Sequence, residues 1–319
     1  MKPALIACVA IALLYLLLSL ALAKFFAVLI LKPPKKFRPS YEDIRLQKVK
    51  EIANDKAVYA GIDWEEFDRW EREKFQARNG DVVIDGEFFP VPHHRGVVIC
   101  AHGFGQNKLQ MAPHAALYRE LGFSTVLYDQ RHWGESAAPF CSFGWFEADD
   151  LVKLVLWVKA KCGEDTKIVV TGVSMGAVTV INAISRTNMI DCAIADCGFA
   201  KIKEGVRFLY KSFLPIPNPF LLPVLFHDAH KLGVPMEKNV PAALAAQADT
   251  PLLVVHGDAD RAVSVQDAYV ISKAAKSPLS RLKIFPGIDH GYCLSDREHY
   301  KAAVSDFLNE VLKLEEDRA

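Results

Sequence analysis

The chain has 319 residues, and its 38 basic side chains balance its 38 acidic ones. Hydrophobic residues make up 51% of the sequence, enough to fill one large core or two modest ones. The first 36 residues hold five lysines and no acid, so residues 37–319 carry a net charge of −5, from 33 basic and 38 acidic side chains. A mildly acidic body without a basic cluster excludes nucleic acid as the expected partner.

The first segment of the chain is apolar enough to cross a membrane. Residues 3–23 are uncharged, and after Lys24 a second apolar run covers residues 25–31. Because a transmembrane helix needs about 20 apolar residues, we predict a transmembrane anchor over residues 1–36, with its helix ended by the proline pair near its end. The alternative is a signal peptide cleaved after the A-x-A-like site at 21–23, although its apolar region would exceed the usual ~7–15 residues.

The charges around this segment indicate where the body lies. Four basic residues follow the apolar segment closely, whereas only Lys2 precedes it. The positive-inside tendency therefore predicts a single-pass protein of the cell membrane with a cytoplasmic body, and a secreted or extracytoplasmic body is the alternative. Seven cysteines without a C-x-x-C pair exclude zinc-ribbon and thioredoxin motifs and favour reduced core thiols, which suits a reducing compartment.

The body is predicted to alternate strands with helices. Residues 37–71 are a linker with short helices at 44–52 and 64–70, and residues 74–78 and 82–89 form an antiparallel hairpin around an Asn-Gly turn. The later strands are predicted at 96–101, 124–128, 167–171, 192–196, 251–256 and 281–285, and the helices at 108–121, 148–161, 175–186, 264–275 and 299–314. Continuous apolar strands between helices indicate an α/β fold, a mostly parallel sheet with helices on both faces.

Residues 201–248 interrupt this alternation. The stretch separates two strands, and proline and large apolar residues are frequent in it. A compact domain seldom carries so long a connection without a purpose. We therefore predict a small helical cap over the carboxyl edge of the sheet, inserted in a domain of residues 72–319.

Ser174 is the candidate nucleophile. It is the central residue of Gly172-Val173-Ser174-Met175-Gly176, which lies between a predicted strand and a predicted helix. The pattern G-x-S-x-G in that context is typical of the nucleophile elbow, a strained turn that presents the serine hydroxyl above the sheet edge. The flanking glycines leave room for the helix to pack close to the strand.

Partners for this serine follow the ends of later strands. The strand at 251–256 is followed by Asp258 and Asp260, and the strand at 281–285 is followed by His290. A serine nucleophile needs a base and an acid that orients the base. The chain order Ser, Asp, His is the order of the elbow architecture, so we expect His290 to be the base.

Two backbone amides are candidates for the oxyanion hole. Phe104 lies in the loop directly after the strand at 96–101, where one donor is expected. Met175, the residue after the nucleophile, would supply the other donor.

Together these pieces resemble the α/β-hydrolase superfamily over residues 72–315. The matching motifs are H-G-F-G at 102–105, D-x-R-x-x-G-x-S at 129–136, G-V-S-M-G at 172–176, H-G-x-x-D at 256–260 and D-H-G at 289–291. More narrowly, the sequence is similar to bacterial, singly membrane-anchored hydrolases related to the serine aminopeptidase and prolyl oligopeptidase-like branches. The resemblance implies a Ser–His–Asp hydrolase that acts on ester, thioester or amide bonds.

The resemblance also selects among the candidate acids. The family places the acid four residues after His256, which selects Asp260 and leaves Asp258 as a turn residue. Asp196 is the alternative acid, because some members place it after an earlier strand, and Asp289 is a further competitor. His256 itself is expected to order the loop.

Aromatic residues supply the candidate substrate pocket. Where the family reads R-G-H-G after Asp129, this sequence reads R-H-W-G, which places Trp133 beside the site and alters the expected pocket shape. The cap adds Phe213, Phe220 and Phe226, for which core packing and contact with lipid are the alternatives.

Cleavage of lipophilic acyl esters through an acyl-enzyme is the expected activity. A membrane-tethered body with an apolar cap suits such small-molecule acyl substrates. A serine aminopeptidase or peptidase is the second choice, and a membrane-tethered binding module without catalysis is the alternative of a different class. No cofactor or metal is predicted, since His93, His94 and His132 lack partners at metal-ligand spacing.

Overall fold

The described part of the chain is built around one eight-stranded sheet. A computed structural model describes residues 2–34, 62–213 and 216–313. The strands are β1 (Glu73–Asn79), β2 (Val82–Phe89), β3 (Val97–Ala101), β4 (Ser124–Tyr128), β5 (Ile168–Val173), β6 (Cys192–Asp196), β7 (Leu252–Gly257) and β8 (Arg281–Phe285). Their order is β1-β2-β4-β3-β5-β6-β7-β8. The β1–β2 and β2–β4 pairs are antiparallel, and every other neighbouring pair is parallel.

Ten α-helices belong to the described residues. They are α1 (Lys2–Leu31), α2 (Trp64–Arg69), α3 (Ala112–Glu120), α4 (Trp145–Cys162), α5 (Met175–Ile184), α6 (Ile202–Phe213), α7 (Leu221–Lys231), α8 (Pro241–Ala245), α9 (Val265–Ala274) and α10 (Arg297–Leu312). Short 3-10 turns cover Lys108–Met111, Met236–Lys238 and Cys293–Ser295.

The central strands are continuous apolar runs because both faces of the sheet are covered. All residues of β3 to β7 are buried. Along β3, Val97 and Ile99 face the layer that contains α4, α5, α8 and α9, whereas Val98 and Cys100 face the layer that contains α2, α3 and α10. The predicted α/β class, a mostly parallel sheet with helices on both faces, is therefore confirmed.

Some predicted elements have different ends in the structure. The helix predicted at 108–121 is divided, because a 3-10 turn precedes α3 and Pro113 lies in the first turn of α3. Helix α4 begins at Trp145, three residues earlier than predicted. There Gly144 has a positive φ of 87°, and its amide donates to the Glu147 carboxylate at 2.9 Å. The helix predicted at 44–52 lies outside the described residues.

The stretch expected to form a cap contains two longer helices. Helices α6 and α7 share a cluster of buried apolar side chains with Met175 and Phe199, which follow the ends of β5 and β6. These two helices therefore lie at the carboxyl edge of the sheet. The end of the stretch differs, because α8 packs with α5 and α9 in the core on one face of the sheet.

Helix α1 has an exposed part and a docked part. Residues 3–18 are exposed throughout, whereas Phe26, Ile30 and Leu31 are buried against the cap. Of the described helices, only Pro3–Leu31 is long and apolar enough to cross a membrane. The same length, composition and position also suit a signal sequence.

Candidate active site

The backbone around Ser174 is a strained turn between β5 and α5. Ser174 has φ 56° and ψ −114°, a region that residues other than glycine rarely adopt. A Cβ on Gly172 would lie 2.2 Å from the Gly176 carbonyl oxygen, and one on Gly176 would lie 2.0 Å from the Ala101 carbonyl oxygen. Only glycine permits this close approach of helix to strand, which is the physical basis of the G-x-S-x-G pattern.

Ser174, His290 and Asp260 form one hydrogen-bonded chain. His290 follows β8 and Asp260 follows β7, so both side chains reach the sheet edge where β5 ends. Ser174 Oγ lies 2.9 Å from His290 Nε2, and His290 Nδ1 lies 2.7 Å from Asp260 Oδ2. Because a carboxylate only accepts hydrogen bonds, Nδ1 carries the proton and Nε2 is left to accept the serine hydroxyl.

The Asp260 carboxylate is buried and fully hydrogen-bonded. Its Oδ1 accepts the amides of Ala262 and Val263, each at 2.7 Å, and its Oδ2 lies 3.1 Å from His256 Nε2. Burial alone would raise the pKa of Asp260, but hydrogen bonds from His256 and His290 outweigh burial and hold the pKa well below its usual range. The contact with Asp260 also raises the pKa of His256, against the opposing effect of burial. Asp260 is therefore a fixed anion beneath His290.

Asp258 and Asp289 hold the neighbouring loops together. The Asp258 carboxylate accepts the Gly287 amide at 2.6 Å, which joins the loops after β7 and β8. The Asp289 carboxylate accepts Arg261 Nε and the His290 amide, each at 2.8 Å. Although burial opposes the shift, the hydrogen bonds from Arg261 lower the pKa of Asp289. In the described chain, neither carboxylate bonds to the His290 ring.

Asp196 is the buried carboxyl group behind the nucleophile. It ends β6, and its backbone carbonyl accepts the Ser174 amide at 2.9 Å. Burial raises the pKa of Asp196 to about 6, although the Cys293 thiol opposes that shift. Among the described residues no hydrogen bond joins the Asp196 side chain to a histidine. The alternative acid considered from the sequence therefore has no base to orient.

An apolar cavity of about 160 Å³ opens beside Ser174. Its wall includes His290 and the two residues expected as oxyanion donors, Phe104 and Met175. The other lining residues are uncharged: Phe143, Phe199, Gly205, Phe208, Leu209, Ala262 and Val263. Because no acidic, lysine or arginine side chain of the described chain lines this cavity, the cavity suits an apolar group.

Three of the aromatic residues expected to line the pocket are absent from the lining of this cavity. Trp133 is buried behind the cavity, where its ring packs edge-on against Phe104 with 4.8 Å between centroids. Phe220 and Phe226 are absent from the lining, because α7 packs along α1 and not over Ser174. Phe213 ends α6, and its side chain lies outside the described residues.

Sequence reasoning missed the cap residues that face the serine. Gly205, Phe208 and Leu209 line the cavity from α6, at the i, i+3, i+4 spacing of one helix face. Helical periodicity in the cap sequence was the signal that could have identified this face. Phe143 and Phe199 come from loops, and no local pattern distinguishes them from core residues.

Lys108 forms ion pairs with three carboxyl groups near the loop after β4. Its Nζ lies 2.7 Å from Asp85, 2.8 Å from Asp129 and 3.0 Å from Glu135. Burial would lower the pKa of Lys108, but Asp129 and Asp85 raise it above its ordinary value. The three carboxylates lie close enough to share a metal ion, and the ammonium group already provides the positive charge between them.

A second group of possible metal ligands lies at the serine itself. Ligand atoms of Cys197, Asp260 and His290 lie within 4.8 Å of one another. The hydrogen bond between Asp260 and His290 already uses a ligand atom of each, so the contacts here suit proton transfer better than coordination.

The two residues that differ from the family motif after Asp129, His132 and Trp133, connect the site with the end of α1. His132 has a positive φ of 68°, and its ring nitrogens lie 2.8 Å from the Ala138 carbonyl oxygen and 3.1 Å from the Pro33 carbonyl oxygen. Trp133, the next residue, supports Phe104. The departure therefore affects the cavity indirectly, by fixing this loop against the end of the N-terminal helix.

Known proteins resemble this chain in sequence. Residues 142–315, more than half of the chain, match the model of the prolyl oligopeptidase family, Peptidase S9. The uncharacterized protein YqkD of Bacillus subtilis (strain 168) is 26% identical over 253 residues, which are 78% of this chain and 83% of YqkD. The uncharacterized protein YfhR of Escherichia coli (strain K12) is 25% identical over 262 residues, which are 77% of this chain and 83% of YfhR.

Solved structures share the fold. The Pyrococcus furiosus esterase Pf2001 matches with a TM-score of 0.65 and 23% identity, over 79% of this chain and 97% of the esterase. The Pyrococcus horikoshii acylaminoacyl peptidase matches with a TM-score of 0.60 and 16% identity, over 81% of this chain and 45% of the peptidase. Both likenesses confirm the α/β-hydrolase fold expected from the sequence. Since the family model covers more than half of its length, the chain belongs to the prolyl oligopeptidase family and is a serine hydrolase.

Proposed function

We propose that this hydrolase cleaves carboxylic esters with apolar acyl groups, using Ser174 as nucleophile, His290 as base and Asp260 as orienting acid. The observation that carries the proposal is the hydrogen-bonded chain from Asp260 through His290 to Ser174, which ends at the wall of an uncharged cavity. A serine on a strained elbow beside an oriented base is suited to acyl transfer.

The contacts support a two-step reaction through an acyl-enzyme. His290 Nε2 takes the proton of Ser174 as Oγ attacks the ester carbonyl. The imidazolium that forms is stabilised by Asp260, which hydrogen bonds from the amides of Ala262 and Val263 and from His256 hold as an anion. His290 then gives the proton to the leaving alcohol, and water attacks the acyl-enzyme by the same route.

The amides of Phe104 and Met175 are the proposed oxyanion donors. Both residues line the cavity beside Ser174, and within the described residues neither amide donates to another protein group. Two preorganised N–H groups would stabilise the charge that develops on the carbonyl oxygen, each by on the order of a few kcal/mol.

The charges near the cavity favour an acyl ester over the free amino terminus of a peptide. An aminopeptidase needs an anion that binds the substrate's ammonium group. In the cap, Glu204 lies 3.4 Å from Arg207 and Asp228 lies 2.6 Å from Lys24, and neither acid lines the cavity. Peptide-bond cleavage is the second candidate because of the family, since the same acyl-enzyme chemistry opens amides.

We also propose that α1 anchors the enzyme in the cell membrane with its body in the cytoplasm. Apolar residues cover the exposed part of α1 on every side, and a helix of this kind suits a lipid environment. The basic residues that follow the helix support the cytoplasmic orientation.

The variant Ser174→Ala tests the proposed nucleophile. We expect loss of p-nitrophenyl ester turnover and of fluorophosphonate labelling with an unchanged thermal melt, because alanine removes only the hydroxyl group. Ser185→Ala, at the other end of α5, is the matched control and should keep both activities. Full-rate turnover by Ser174→Ala would contradict the proposal. If the folded, unmodified chain neither reacts with the fluorophosphonate nor hydrolyses the esters, the result favours the binding module without catalysis.

A substrate panel separates ester from peptide cleavage. We expect kcat/KM to rise along p-nitrophenyl esters of increasing acyl length and to be far lower for aminoacyl p-nitroanilides. Preference for the anilides would support the peptidase instead.

A further inference from the structure

We propose that residues 216–226, termed the cap tip, lie in the hydrocarbon of the bilayer that α1 spans, so that the enzyme takes its acyl substrate from lipid. The partner of this surface is a lipid bilayer. The inference rests on the proposed anchor and the proposed ester hydrolase. It goes beyond both proposals by placing a second segment, the cap tip, in the membrane and by proposing that the substrate reaches the site from the membrane side.

The cap tip runs beside α1 in the same direction as α1. Three contacts join the two segments in order: Tyr15 Oη to the Pro217 carbonyl at 3.3 Å, Asn218 Nδ2 to the Ser19 carbonyl at 2.9 Å, and Lys24 Nζ to Asp228 Oδ2 at 2.6 Å. A given depth along α1 therefore corresponds to one position along the cap tip and α7.

The first charged residue after each of the two uncharged stretches lies at the same level. Helix α1 is uncharged over residues 3–23, and the first charged residue after that stretch is Lys24. The cap tip is also uncharged, and the first charged residue after it is Asp228, the partner of Lys24. A membrane surface at the level of this ion pair leaves both uncharged stretches on the hydrocarbon side, and Lys231 on the aqueous side.

The lengths of these segments agree with the thickness of a bilayer. Residues 3–23 extend about 31 Å as a helix, and a hydrocarbon core is about 30 Å thick. The contact of Tyr15 with Pro217 lies nine residues before Lys24 on α1, which is about 13 Å along the helix. The cap tip would therefore enter one leaflet without crossing the bilayer.

The backbone of the cap tip has few polar groups that lipid would leave unpaired. Irregular backbone in hydrocarbon is tolerated only where its polar groups are bonded within the protein. Pro217 and Pro219 have no amide hydrogen, and the Asn218 side chain accepts the Phe220 amide at 3.0 Å. Ile216 is 51% exposed, so an apolar side chain points outward at the start of the segment. These features favour lipid over water around the cap tip.

Helix α6 connects the cap tip with the cavity beside the nucleophile. Gly205, Phe208 and Leu209 line that cavity from one face of α6. On the other face Tyr210 packs edge-on against Phe26 of α1 with 5.1 Å between centroids. Tyr210 also shares a groove with cap-tip residues, and that groove is lined as well by the charged α6 residues Glu204, Arg207 and Lys211. A single helix thus separates the cap tip from the site, which gives an acyl chain a short path out of the membrane. In this arrangement the charged side chains of α6 lie at the level of the lipid headgroups, beside that path.

Spin-label accessibility in phosphatidylcholine vesicles tests this inference with the full chain. Cys8→Ser and Cys162→Ser remove the two thiols that are not buried. Single cysteines are then introduced as Ile216→Cys in the cap tip, Leu13→Cys on exposed α1, and His230→Cys near the charged end of α7 as the matched control. Collision rates are measured with oxygen, which dissolves in lipid, and with nickel-EDDA, which stays in water. Each variant must react with a fluorophosphonate as the unmodified chain does.

We expect labels at positions 13 and 216 to collide with oxygen several times more, relative to nickel-EDDA, than the label at 230. If the label at 216 collides mainly with nickel-EDDA while the label at 13 collides mainly with oxygen, the inference is overturned. A label at 216 shielded from both reagents would also overturn it, because a second copy of the chain would then cover the cap tip. If the label at 13 collides mainly with nickel-EDDA, both the proposed anchor and this inference are wrong. Fluorophosphonate labelling would still test the proposed hydrolase separately.

Discussion

Two carboxyl groups near Ser174 differ in what determines their charge. Asp196 ends β6 and Asp260 follows β7, the adjacent parallel strand, and both side chains are buried. Asp260 receives hydrogen bonds from two amides and two histidines, so its pKa lies far below its usual range, whereas burial raises the pKa of Asp196 to about 6. The same residue type is thus held as an anion at one strand end, whereas at the next burial raises the pH at which it takes up a proton to about 6.

These two residues give a matched pair of variants. We expect Asp260→Asn to lower kcat for p-nitrophenyl esters by about 10⁴-fold, because the amide favours the wrong imidazole tautomer and cannot stabilise the imidazolium. Asp196→Asn should leave kcat within a few-fold, since no hydrogen bond joins Asp196 to a described histidine. Steady-state kinetics of both variants check the assignment, and a larger loss for Asp196→Asn would reverse it.

The pKa of Asp196 predicts a pH dependence of stability. The folded-state pKa of about 6 exceeds the ordinary value of 3.8, so the folded state keeps a proton that the unfolded state releases. Stability is therefore lost as pH rises from about 4 to about 6, by on the order of 2–3 kcal/mol. Asp196→Asn removes this loss, so urea unfolding should show a gain in stability at pH 8 that is absent at pH 4. The same difference at both pH values would contradict the shift.

Among the elements, α6 is the one that would set acyl specificity. Leu209→Ala should enlarge the cavity and raise the ratio of kcat/KM for decanoate over butyrate esters, and Leu209→Trp should lower that ratio. A few methylene contacts are worth about 1–3 kcal/mol, so the ratio should change between several-fold and about a hundredfold. Lys203→Ala, on the exposed part of α6, is the control and should leave the ratio unchanged. An equal effect of Lys203→Ala and Leu209→Ala would contradict this role.

Strands and helices were predictable where a pattern in the local sequence specifies them. The strands β4, β6 and β8 have the bounds predicted from the sequence. In β4 and β6 every residue is buried, because both faces of the sheet are covered there, whereas β8 at the edge of the sheet is only partly buried. The bounds of α4 were not predictable, since a hydrogen bond from Gly144 to Glu147 starts this helix before its apolar period is visible. The α6 face that lines the cavity has helical spacing in the sequence, but the spacing alone does not indicate which neighbour the face meets.

For the molecule as a whole, α1 is part of the packed body as well as the proposed anchor. Its Phe26, Ile30 and Leu31 are buried, and the Leu31 carbonyl accepts the Cys141 amide at 2.8 Å, in the loop region beside the cavity. His132 lies against Pro33 just beyond the helix. The end of α1 thus braces the cap and the loop that supports Phe104.

Two truncations separate anchoring from packing. Deleting residues 2–14 removes exposed turns only and should leave the melting temperature in detergent unchanged. Deleting residues 2–34 also removes Phe26, Ile30 and Leu31, each worth about 1.5–3 kcal/mol of burial. We expect this longer deletion to lower the melting temperature by on the order of 10 °C. Equal melting temperatures for the two truncated chains would show that α1 does not stabilise the body.

The sequence by itself determined the alternation of strands and helices, the apolar N-terminal helix, the elbow at Ser174 and the chain order of Ser174, Asp260 and His290. Each of these is a pattern of spacing or composition that nearby residues carry. The tertiary structure added the hydrogen bond between His290 and Asp260, the acid that the resemblance selects, and it alone decided which cap residues line the cavity and that the last turns of α1 dock on the cap. Those outcomes depend on packing between segments far apart in the chain, such as Lys24 with Asp228, and no local spacing encodes such contacts.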